Sequence, residues 1–132
     1  PLYHNGTFYM TTQSTETIWT APEVTGPWSV YAQIKPNVPL GPGTPYGGLE
    51  DPFMWIDRRG HWHIINHAMD ETQTKNCARS IVSAHLFSLD GKDWRVLVPA
   101  VEPYSHTVYY DDGTSHTYAT LERPNLHIDK MG

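Results

Sequence analysis

Apolar residues fall in short runs along this chain, and a turn signal closes nearly every run. Leu2-Tyr3-His4 and Thr7-Phe8-Tyr9-Met10-Thr11-Thr12 flank Asn5-Gly6, a pair that supplies the two positive-φ positions of a tight hairpin. Thr17-Ile18-Trp19-Thr20 follows and Gly26-Pro27-Trp28-Ser29-Val30 closes the unit, so residues 1–34 are predicted to form an incomplete four-stranded meander. Residues 35–48 hold four Pro and four Gly, the composition of a long connection between sheets.

The second unit, residues 49–121, repeats the plan at greater length. Phe53 to Asp57, a turn at Arg58-Arg59-Gly60, and His61 to His67 make its first hairpin, and Ile81 to Ser88 makes its third strand. Leu89-Asp90-Gly91-Lys92-Asp93-Trp94 turns into a fourth, with Met69 to Arg79 as a polar insertion. Val108-Tyr109-Tyr110 and Ser115-His116-Thr117-Tyr118 form a further hairpin about Asp111-Asp112-Gly113. Trp28 and Trp94 occupy the same place in their units and are expected to be buried alike.

Two stretches match each other without a gap. Glu50-Asp51-Pro52 followed by Met54, Ile56, Asp57, Arg58 and Gly60 returns as Glu122-Arg123-Pro124 followed by Leu126, Ile128, Asp129, Lys130 and Gly132, a spacing of 72 residues. A repeat of this size marks arrays built from similar sheets. Residues 122–132 are therefore expected to be the first strand of a third sheet, and the position where the copies differ, Asp51 against Arg123, is a candidate functional one.

Composition agrees with strands. Five Trp, eight Tyr and three Phe with eleven Pro and ten Gly suit pleated surfaces and frequent turns, and almost no helix is expected. The net charge of −5 comes without basic runs, which argues against a nucleic-acid partner. No apolar run approaches the roughly 20 residues of a membrane span, and no stretch after Pro1 resembles a signal peptide. Cys77 stands alone, so no internal disulfide is expected. Asn5-Gly6-Thr7 fits a glycosylation acceptor as well as a hairpin turn, with the turn favoured.

The unit plan, with Glu50-Asp51-Pro52 opening one sheet and Glu122-Arg123-Pro124 the next, resembles the five-bladed β-propeller glycosidases, most closely the arabinanase and xylosidase group of glycoside hydrolase family 43. The resemblance implies an all-β propeller fragment of about two four-stranded antiparallel blades plus the first strand of a third. It also implies three acidic residues on the innermost strands: a base Asp, a pKa-modulating Asp and a general-acid Glu. Asp51 matches the second and Glu122 the third; the base would lie before Pro1. On this reading the partners are a carbohydrate and the remaining blades, no cofactor is needed, and the setting is secreted or extracellular. The invertase and levanase group shares the propeller but carries Arg-Asp-Pro and Glu-Cys-Pro, where this chain has Glu50 and Arg123. A propeller that binds glycans without cleaving them is the other alternative.

The chemistry supports a carboxyl pair on its own terms. Glycosidic cleavage needs an acid to protonate the leaving oxygen and a carboxylate to activate water or attack, and a like charge nearby keeps the acid protonated near neutral pH. Glu50, the repeat-equivalent of Glu122, is a second candidate for an acid-like or substrate-binding role, and Arg123 a candidate substrate contact. His61, His63 and His67 alternate along one strand, toward one face, but no Cys or carboxylate accompanies them at zinc-ligand spacing, so no metal is expected. His67 and His85 are candidates to touch a sugar, packing being the alternative for His85. Trp55 and Tyr46 flank the motif, where an aromatic face can stack on a sugar or simply pack the core.

Overall fold

The Asn5-Gly6 pair turns the chain as its chemistry dictates, with φ of 49° and 80° and His4 opposite Thr7 across the hairpin. The computed structural model describes residues 1–13, 15–38, 50–67, 83–98 and 101–129. Among these there are ten strands and no helix: β1 (Leu2–His4), β2 (Thr7–Thr11), β3 (Thr17–Ala21), β4 (Ser29–Gln33), β5 (Glu50–Ile56), β6 (Trp62–His67), β7 (Ser83–Ser88), β8 (Arg95–Val96), β9 (Thr107–Tyr109) and β10 (Ser115–Thr117). The expected insertion Met69 to Arg79, residues 39–48 of the connection with Tyr46, Cys77, and Ile81 of the third strand lie outside the described residues.

The strands make two four-stranded antiparallel meanders, β1-β2-β3-β4 and β5-β6-β7-β8, and a separate hairpin of β9 and β10. The first sheet thus has four strands, although β1 has three residues where β5 has seven. Asp57 builds the β5–β6 turn. Its Oδ1 accepts the Arg59 and His61 amides, both at 2.9 Å, and Gly60 takes the left-handed position with φ of 83°, which a Cβ would strain.

Period-2 alternation gives the second sheet two different faces. Register places Met54, Ile64, Leu86 and Val96 in one row across the sheet. These join Trp62, Ala84 and Trp94, with Ile18 and Ile34 of the first unit, in one buried cluster between the sheets. Trp62 is held there by rings of the first sheet, edge-on to Tyr9 at 4.8 Å and stacked on Tyr31 at 5.9 Å. A Cβ on Gly91 would sit 2.9 Å from the Trp62 ring, so only glycine allows this approach.

Two expectations need correction. Residues 122–129 contain no strand; an extended segment becomes a strand only when a neighbour takes its backbone hydrogen bonds, and no described segment pairs with this one. Leu126 and Ile128 are instead 41% and 48% exposed. Trp28 and Trp94 are also not equivalent. Trp94 is 2% exposed within the cluster, its Nε1–H donating to the Gly91 carbonyl at 3.0 Å, whereas Trp28 is half-buried and outside the cluster.

Candidate functional site

The opposite face of the second sheet carries the candidate residues. Trp55, His63 and Phe87 form one row across it, and Phe53, Ile65 and His85 the next. The strand that leads into this face is irregular at its start: β5 slips register between Glu50 and Phe53, and Asp51 sits at φ 46°. Arg123, its partner in the 72-residue repeat, sits at φ 57°. The left-handed region costs a residue with a Cβ about 1–2 kcal/mol, and each of these residues precedes a proline, which disfavours the right-handed alternative. Bulges of this kind re-aim side chains and occur beside functional sites. Where the two copies differ in sequence, they share a positive φ.

The copies also meet. Arg123 Nε lies 3.8 Å from Asp51 Oδ2, with the Arg123 side chain 80% exposed. Glu122, next to Arg123, lines a cavity of about 390 Å³ together with Trp55, Ile65, His85, Tyr104 and Leu126, a volume suited to a small ligand. Tyr104 feels the charge of both carboxylates. Burial first, then the charges of Asp51 and Glu122, push its phenol up to about 12, and its buried hydroxyl has no hydrogen-bond partner among the described residues. Its backbone is pinned to β7, where Ser83 Oγ donates to the Tyr104 carbonyl at 2.8 Å. Of the residues expected from sequence, Asp51, Glu122, Arg123, Trp55 and His85 are thus gathered about one cavity and its rim.

Glu50 and His67 are placed differently. Glu50 Oε1 accepts from Gln13 Nε2 at 3.0 Å, and its Oε2 lies 3.1 Å from His67 Nδ1. Both carboxyl oxygens are engaged, so Glu50 acts as a clasp between the first unit and β6. His67 is 8% exposed and serves that clasp. Neither lines the cavity.

Behind the cavity wall the rings are layered. Trp55 stacks on His63 at 4.9 Å and on His85 at 5.7 Å, and His63 Nδ1 lies 3.0 Å from His85 Nε2. Burial, with the charge of His63, pushes the His85 imidazole below its ordinary 6.5. His63 Nε2 in turn lies 3.5 Å from Asp57 Oδ2. Burial alone would raise the Asp57 carboxyl, but the His61 amide, both Arg59 groups and His63 together hold it well below the carboxylate range. Among the described residues no group of three His, Cys, Asp or Glu side chains could hold a metal ion.

Tyr104 and the link between His63 and His85 are features of this cavity that sequence reasoning missed. Tyr104 lies in an irregular stretch with no alternation to mark it, and the link from His63 to His85 depends on register between strands 22 residues apart in sequence. No family model, curated protein or solved structure matches this chain.

Proposed function

We propose that this chain belongs to a β-propeller glycoside hydrolase, in which the two sheets are neighbouring blades and residues 122–129 lead into a third. One observation carries the reading: Glu122 and Tyr104 line an apolar, aromatic-lined cavity, and the Tyr104 phenol feels the charge of both Glu122 and Asp51, from the two copies of the repeat. Two carboxyls around one cleft are what glycosidic cleavage requires. In this reading Glu122 faces the leaving oxygen as the acid, Asp51 is the second carboxyl, and Trp55 stacks on the sugar ring. The base is not assigned to any of these residues. The substrate is a sugar chain or small glycoside.

Full-length protein carrying this chain is assayed on arabino- and xylo-oligosaccharides beside its Glu122→Gln variant. Hydrolysis by the parent with loss in the variant supports the proposal; hydrolysis at equal rates by both, or by neither, refutes it. A non-catalytic glycan-binding reading is favoured by the Asp51–Arg123 pair, because a carboxylate already paired with a cation is less available to a reacting group. Saturable binding of the same oligosaccharides without cleavage would establish that alternative.

A further inference from the structure

The Asp57, His63 and His85 chain ends at the cavity, and its polarity follows from its first member. A carboxylate is acceptor-only, so Asp57 Oδ2, facing His63 Nε2 at 3.5 Å, selects the His63 tautomer with its proton on Nε2. The lone pair of a neutral His63 is then on Nδ1. That atom lies 3.0 Å from His85 Nε2, so the proton between the two rings belongs to His85 Nε2. The remaining ring nitrogen of His85, Nδ1, is left with a lone pair. It makes no hydrogen bond among the described residues, and His85 lines the cavity.

Packing holds the chain in this arrangement. Trp55 lies nearly parallel to both imidazoles, at interplanar angles of 15° and 7°, and Ile65, opposite His85 in the ladder, is 6% exposed. Arg59 donates to the same Asp57 oxygen at 2.7 Å and 2.9 Å, which keeps that carboxylate ionised and its acceptor role fixed.

We propose that Asp57 and His63 are positioning residues that present His85 Nδ1 to the cavity as a hydrogen-bond acceptor for a hydroxyl of a bound sugar. The sugar as ligand rests on the function proposed above; the polarity of the chain does not. The arrangement selects a ligand with a hydroxyl at that point and disfavours one with only acceptors there, since a ring nitrogen without a proton cannot donate.

The test is imidazole 15N NMR on the full-length protein carrying this chain. A through-hydrogen-bond coupling between His85 Nε2 and His63 Nδ1 is expected, with the proton on His85 Nε2. Asp57→Asn keeps the turn-forming oxygen but places an amide N–H toward His63 Nε2. It should therefore reverse the chain, moving the proton to His63 Nδ1 and making His85 Nδ1 a donor. His63→Phe keeps the ring stack, serves where Asp57→Asn does not fold, and should abolish the coupling and leave His85 as a mixture of tautomers. Titration with D-xylose and L-arabinose should move the His85 Nδ1 resonance to saturation. A proton on His63 Nδ1 in the parent, or an unchanged His85 tautomer in His63→Phe, overturns the polarity. Sugar titrations that leave Nδ1 unmoved overturn the ligand assignment. Absence of hydrolysis alongside a saturable Nδ1 shift defeats only the glycosidase reading.

Discussion

The two faces of the β5–β8 sheet are built from alternate residues of the same strands, yet they solve different problems. One face presents Met54, Ile64, Leu86 and Val96 to the first sheet and is closed by Trp62 and Trp94. The other presents Trp55, His63, Ile65 and His85 and is left with a cavity. On the dry face the aliphatic side chains are satisfied by contact alone, and the Trp94 Nε1–H by the nearby Gly91 carbonyl. On the other face the polar groups require partners, and they find them in one another: His85 with His63, His63 with Asp57, and at the strand ends His67 with Glu50. A single period-2 alternation therefore separates what holds the fold from what is available for chemistry.

The sharpest way to break the contrast is to empty the dry face. Leu86 is fully buried, so Leu86→Ala should cost about 2–5 kcal/mol, read from denaturant unfolding. For a chain this size that is a large share of the total. Phe87→Ala, one residue along on the other face and half-buried, should cost clearly less. Equal costs would mean that the faces are not energetically distinct.

A comparable effect on the other face should appear in activity and leave stability almost unchanged. If Glu122 is the acid of the proposed hydrolase, Glu122→Gln in the full-length protein should lower the rate about 10²–10⁴-fold, and most on poor leaving groups. Its melting temperature should stay within a few degrees of the parent, since Glu122 is exposed. A variant that unfolds would show that Glu122 belongs to the architecture.

Much of this division was legible in the sequence. The Asn5-Gly6 and Arg58-Arg59-Gly60 turns, the two meanders and the late hairpin follow from alternation and turn chemistry acting over a few residues. Asp51 and Glu122 were visible because the repeat singled them out. Three features were not. Whether residues 122–129 form a strand depends on a neighbouring ladder, which no local pattern encodes. The burial of Trp94 but not Trp28 depends on what packs over each sheet. Tyr104 and the Asp57–His63–His85 chain depend on register and on backbone ties such as Ser83 to Tyr104, which join residues distant in sequence.

A smaller effect separates the faces by pH. Because the folded His85 titrates below its ordinary 6.5, the unfolded chain binds more protons just under that value, and stability rises with pH there. The contribution is complete above 6.5 and is lost as pH falls through the folded pKa. The slope cannot exceed about 1.4 kcal/mol per pH unit for one proton, and partial exposure makes it shallower. Stability curves between pH 7 and 5 should flatten in His85→Phe and keep their slope in Leu86→Ala. A parent curve that is already flat would show that His85 carries no such linkage.

The smallest effect is expected at the rim, where the two copies of the repeat touch. The Asp51–Arg123 contact is 3.8 Å long and the Arg123 side chain is 80% exposed, so a double-mutant cycle should return about 0–1 kcal/mol of coupling, falling with added salt. Asp51→Asn is the variant to use, since Asn tolerates the left-handed backbone held by Asp51 and removes only the charge. The same substitution has a second readout within the cavity. Burial is the larger cause of the raised Tyr104 phenol, with Asp51 and Glu122 adding to it, so its pKa should fall from about 12 without returning to its ordinary 10. Tyrosine 13C titration measures this directly. A Tyr104 value unmoved by Asp51→Asn would place the carboxylate too far away to share a cavity with Glu122, and the pairing of the two copies around one site would fail with it.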